Sequence, residues 1–177
     1  MKKCCIVFLI VAIIILSGFG LNLNQKDVKT EFLRIHIRAD SNLDADQSVK
    51  YLVKDAVVEY LTPLIAECDT FEKAKVLLTD NLKGITETAN GVLKQNGFDY
   101  TASAGVKREN FPTRCYGDLV LENGFYDALI INLGSGTGDN WWCVVYPPLC
   151  FVQDSSPLVY KSKIKSIIDD FYKKENV

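Results

Sequence analysis

A single histidine and six cysteines bound the side-chain chemistry open to this chain. A cysteine nucleophile needs a base to take its proton, and His36 is the one imidazole that could serve. Arg34 and Arg38 lie two residues to either side of it, on the same face of an alternating segment. Their charge would lower a histidine pKa and favour a thiolate, provided that Cys115, Cys143 or Cys150 lay opposite. None of these cysteines stands at the start of an evident helix, a common activating position. The expectation is therefore a polar-face histidine with no catalytic residue, and an exported Cys-His hydrolase acting on cell wall or peptide is the alternative. Zinc has enough donors but the wrong spacing, because six residues separate Cys143 from Cys150 and no close cysteine pair exists elsewhere in the exported part. No metal site and no cofactor are expected. GSGTG, at 134–138, has the glycines of a phosphate loop, but a tryptophan-rich strand follows it where a helix N-terminus would be needed. It reads as a flexible hairpin loop. Asp169 and Asp170 sit among lysines of the last helix and read as a solvated face.

The stretch NWWCVVYPPLC, residues 140–150, holds both tryptophans of the chain. Adjacent residues of a strand point to opposite faces, so one of Trp141 and Trp142 can be core while the other is covered or meets a partner. Pro147 and Pro148 cannot donate ladder hydrogen bonds, so the strand should end near Tyr146 and the chain should turn. That turn would bring Cys150 back towards Cys143. Four cysteines lie outside the N-terminal apolar run and allow three full pairings; Cys143 with Cys150 is the expected pair, and four buried thiols are the alternative.

Elements that could position these groups follow from periodicity. EFLRIHIRA alternates, with Leu33, Ile35, Ile37 and Ala39 on one face and Phe32, Arg34, His36 and Arg38 on the other, which predicts a half-buried strand. Asp44 and Gln47 have the spacing of a capping box. From Val49, apolar residues at 49, 52, 53, 56, 57, 60, 61 and 64 form a helical stripe that closes near Pro63. A second helix is predicted from the cap Thr70 to Asn96-Gly97, burying Phe71, Ala74, Leu78, Leu82, Ile85, Ala89 and Val92. Gly84 and Gly91 weaken it by about 1 kcal/mol each relative to alanine. Then the period changes to two: Phe98 to Val106 alternates, TRCYGDLVL follows, and Asn123-Gly124 predicts a hairpin turn into FYDALIINL. A last helix runs from about Leu158 to Lys173. The order predicts a two-layer α+β fold, with an antiparallel or mixed sheet of about five strands and helices on one face. Leu33, Ile35 and Ile37 should face the helices that carry Leu52, Val53, Val57, Leu78 and Leu82.

Net charge is −2, and −4 without Lys2 and Lys3, with no basic block, which argues against nucleic acid as a partner. Those two lysines precede an uncharged apolar run from Cys4 to about Leu21, the pattern of an export signal or a short membrane anchor. Residues 1–21 are thus expected to be a signal peptide or N-terminal anchor, 22–31 a tether, and 32–177 a single domain facing away from the cytoplasm. Membrane contact would come through the N-terminal segment if it is not cleaved.

FLRIHIRADSNLDADQSVKYLVKDAVVEYL, followed by FPTRCYGDLVLENGFYDALIINLGSGTGDNWWCVVYPPLCFV, resembles the stage II sporulation protein R family. The family typically reads Ala-Asn-Ser-Asp where this chain has Ala39-Asp40-Ser41-Asn42, an exchange of acid and amide. The resemblance implies an intercellular signal made in the forespore and exported into the space between the septal membranes. Its implied partner is a membrane-embedded aspartic protease of the mother cell that processes the sigma-E precursor. Trp141, Trp142, Arg34, His36 and Arg38 are the candidate receptor-binding residues.

Overall fold

The computed structural model describes residues 32–117, 119–151 and 158–175. The expected signal or anchor and its tether lie outside these residues. Strand β1 (Leu33–Arg38) is followed by helices α1 (Asp44–Ile65), α2 (Phe71–Asp80) and α3 (Leu82–Gln95). Then come β2 (Ala102–Phe111), β3 (Arg114–Tyr116), β4 (Leu119–Leu121), β5 (Gly124–Leu133) and β6 (Asn140–Tyr146). A 3-10 turn (Leu149–Phe151) and α4 (Leu158–Glu175) complete the order. Four strands form one mixed sheet, β2-β5-β1-β6, and β3 and β4 pair separately as a short ribbon. The fold is α+β, as the element order predicted.

β1 occupies an inner position, parallel to β5 and antiparallel to β6. Its helix-facing Leu33, Ile35 and Ile37 join Leu129, Ile131 and Leu133 in one apolar cluster with Val53, Val57, Leu61, Leu78, Ile85 and Leu93. At about 25 cal/mol per Å² of buried apolar surface, such a cluster is the main favourable contribution to folding. Leu52 does not take part: it is 47% exposed, because the inner stripe of α1 runs through Val49, Val53, Val57 and Leu61. Phe171 of α4 closes the end of the core, edge-on to Phe32 at 5.2 Å.

Several expectations are corrected. β1 is buried on both faces, with Arg34 at 0% and His36 at 4% exposure, because something other than a helix covers its polar side. The helix expected from Thr70 to Asn96 is two, broken at Asn81, whose side-chain amide donates to the Leu77 carbonyl and so competes with the helical ladder. The capping box is not made: Leu43 occupies the cap position of α1, and the Gln47 amide donates to the Ser41 carbonyl instead. Asn123-Gly124 is not the hairpin turn. β2 pairs with β5, Phe111 opposite Gly124, and the intervening chain folds out as the β3–β4 ribbon around Gly117, where φ is +61°. GSGTG is not a hairpin loop either, since β1 lies between β5 and β6 and the loop crosses over its end.

Candidate functional site

The polar side of β1 is the centre of the candidate site. β5 separates β2 from β1 in the sheet, yet Glu109 of β2 touches His36 at 2.7 Å, and Phe111 lies over Arg34 with its ring centre 4.3 Å from the guanidinium. The β2–β5 hairpin must therefore curl over this face, and the ribbon at its tip completes the cover. Arg34 donates from Nη2 to the Tyr116 hydroxyl at 2.7 Å and is flanked by the rings of Phe111, Tyr126 and Tyr116. Among the described residues its Nε and Nη1 have no hydrogen-bond partner. Stacking on aromatic faces offsets part of the cost of burying this cation.

His36, two residues on, sits between Glu109, at 2.7 Å from Nδ1, and Asn140, at 2.7 Å from Nε2. Its ring leans on Trp142, 5.3 Å between centres, and meets Phe111 edge-on. Burial holds its pKa below the ordinary 6.5, helped by Arg38 and opposed by the bonds to Asn140 and Glu109. Arg38 was expected to act in this direction, but desolvation outweighs it. Arg38, 29% exposed, bonds Glu109 at 2.6 Å and Asn132 at 3.2 Å.

The tryptophans fall on opposite sides of the sheet. Trp142 pairs with His36 and lies on the polar side, half-buried, with the Arg114 guanidinium 4.1 Å above its ring. Trp141 pairs with Ile37 on the helix side, where Lys54 of α1 approaches to 5.9 Å. Cys143 and Cys150 are joined across a turn, with Cα atoms 5.9 Å apart, after β6 ends at Tyr146. Arg34 and His36 are too deeply buried to touch a partner, which corrects their place among contact residues; Arg38, Trp141 and Trp142 remain partly accessible.

A Cys-His pair is not assembled among the described residues. Cys143 and Cys150 hold each other, Cys68 is buried at the end of the helix layer, and Cys115 is exposed and pairs with outward-facing Val120. Amides of GSGTG and of the residue after it are committed: Ser135 N donates to Asp40 Oδ1 at 2.6 Å, Gly138 N to the Ala39 carbonyl at 2.9 Å, and Asp139 N to Asn42 Oδ1 at 2.6 Å. The loop is a latch onto residues 39–42, with no amides left for an anion at those positions. An amide at 40 or a carboxylate at 42 presents the same acceptor oxygen, so the exchanged motif preserves the latch. Beneath it, Lys50 is buried, bonded to Gln47 at 2.6 Å and to the Asp139 carbonyl at 3.1 Å, and desolvation pushes its pKa down.

Glu109, Arg114, Tyr116 and Asn140 were not singled out from the sequence. The alternation of β2 puts Glu109 and Phe111 on one face, but no local pattern says which strand that face meets.

Comparison with known proteins places these residues. The family model described as stage II sporulation protein R matches residues 29–156. Stage II sporulation protein R of Bacillus subtilis (strain 168) is 34% identical over 129 residues, covering 73% of this chain and 58% of that protein. The match thus spans a little over half the length of that relative. No solved structure matches the chain. The matched residues take in β1, the helices α1 to α3, the whole sheet, the ribbon, the latch and the cysteine pair, and on that extent of agreement the chain belongs to the stage II sporulation protein R family.

Proposed function

We propose that this chain is an exported sporulation signal that works by binding: it engages and activates a membrane-embedded aspartic protease of the mother cell, which then processes the sigma-E precursor. Membership of the sporulation family supports the biological setting. Lys2 and Lys3 ahead of the apolar run support export from the forespore into the space between the septal membranes, cleaved or anchored. The observation that carries a binding role over a catalytic one is the state of His36. Both ring nitrogens are engaged, and no thiol faces it among the described residues, so the one imidazole is built into a scaffold. An activating ligand needs no chemistry of its own; it needs only to prefer the active state of its target.

The test is complementation. Cells lacking their own family member are given this chain, and cleavage of the sigma-E precursor is followed together with the activity of an alkaline phosphatase fusion after Val177. Cleavage and an active fusion are expected. An inactive fusion would refute export, and an exported, folded chain that yields no cleavage would refute the signalling role.

A further inference from the structure

We infer that the open margin of the polar sheet face, where Arg114 lies on Trp142 beside Arg38, is the receptor-contact surface, and that it accepts a carboxylate side chain from an extended acidic segment of the partner. The inference rests on the reading that the chain acts by binding a receptor.

Three features of this face point to an anion. The cations Arg34, Arg38 and Arg114 gather here, whereas residues 44–95, which form the helix layer, hold nine carboxylates and six lysines. The molecule has segregated its charge, although its net charge is negative. Second, among the described residues the charge is only partly compensated: Glu109 is shared between His36 and Arg38, and neither Arg34 nor Arg114 has a carboxylate partner there. Third, the group presented is a planar fork: the Arg114 guanidinium is centred 4.1 Å over the Trp142 ring, and a guanidinium carries N–H donors spaced for two parallel bonds to one carboxylate. Tryptophan and arginine are both enriched among interface hot spots. Arg34, on the same side of β1, wholly buried and with Nε and Nη1 unpartnered among the described residues, adds positive potential in a medium of low dielectric.

An acidic peptide fits this margin better than an anionic membrane does. Membrane surfaces are read by clusters of four to eight flexible basic residues. Here the cations are few, planar and fixed by Trp142, Glu109 and Asn132, an arrangement that selects geometry as well as charge.

The probe is a heptaglutamate peptide, titrated against the full chain in neutral detergent. A Trp141→Phe background leaves Trp142 as the reporting indole. A saturable fluorescence change is expected, suppressed by high salt, weakened at least about tenfold by Arg114→Met and weakened also by Arg114→Lys, which keeps the charge but loses the fork. Binding that survives Arg114→Met, or that phosphatidylglycerol vesicles produce and heptaglutamate does not, overturns the inference. Arg114→Met preserves the apolar stem on Trp142, and its melting temperature should match that of the parent; a matching loss of stability and binding would make Arg114 a clamp for the ribbon and overturn the contact role. In cells, the stable Arg114→Met chain should fail to raise precursor cleavage. Full cleavage by that variant defeats this surface and leaves the signalling reading standing, whereas no cleavage by the unaltered chain defeats that reading and leaves the titration intact.

Discussion

Arg34 shows how far a single residue can depart from what its neighbourhood in sequence suggests. Alternation in β1 places it with His36 and Arg38 on one face, and that much is legible in nine residues. Its burial is not, because the cover comes from Phe111, Tyr116 and Tyr126, some eighty to ninety positions away. A buried cation with two nitrogens unpartnered among the described residues contributes little net stability, and replacing such a group by an apolar one of similar length is often neutral or better. Arg34→Met should therefore stay within about 1 kcal/mol of the parent in urea unfolding, while Arg34→Ala, which opens a cavity, should lose about 2 to 5 kcal/mol. His36 makes a pH prediction. Its folded pKa lies below the ordinary 6.5, so as pH falls through 6.5 the unfolded chain takes up a proton that the folded one refuses. Stability should fall with decreasing pH from that point down to the folded pKa, by at most about 1.4 kcal/mol per unit, and level off below it. The slope over this interval should flatten in His36→Gln; a slope unchanged by that substitution would assign the effect to other groups.

Elements with strong periodicity were legible and their junctions were not. The stripe of α1 and the alternation of β1 depend on nearest turns and pleats, so the sequence carries them locally. The break at Asn81 depends on one side chain bonding its own helix, and the failed turn at Asn123-Gly124 depends on β5 preferring β2 over β4. The latch is the clearest case of a junction written in glycine. A Cβ on Gly138 would stand 2.2 Å from the Ser41 carbonyl oxygen, backbone that cannot swing aside. Gly91, inside α3, would meet nothing within 4 Å. Gly138→Ala should accordingly cost more than 2 kcal/mol by displacing the latch from Ala39 and Asn42, and Gly91→Ala should stabilise by about 0.5 to 1 kcal/mol through helix propensity. Thermal unfolding of the two variants should move in opposite directions. Equal effects would mean that the latch yields without loss.

For the whole molecule, the decisive fact is that the first strand of the described chain sits inside the sheet, between two of the last. β1 pairs Ile35 with Leu129 and with Cys143, so the core cannot close until nearly the entire sequence has been gathered. This explains why the fold class could be read while the strand order could not: the alternating segments announce strands, but only the burial of both faces of β1 fixes it inside, and that burial is a property of distant partners. Entropy of closing such long loops opposes the nucleus, so the sheet should form late and melt as a unit. Hydrogen exchange distinguishes this from piecemeal stability. Amides of β1 and of the β5 residues paired to it should exchange only through global opening, whereas those of the β3–β4 ribbon, three residues a strand and paired only with each other, should exchange earlier. Ile35→Asp, which places an unpaired charge against the helix layer, should then abolish protection in β1, β5 and β6 together. If protection in β5 and β6 survives that substitution, β1 is not the keystone of the sheet, and the polar face it carries is held by the hairpin and ribbon alone.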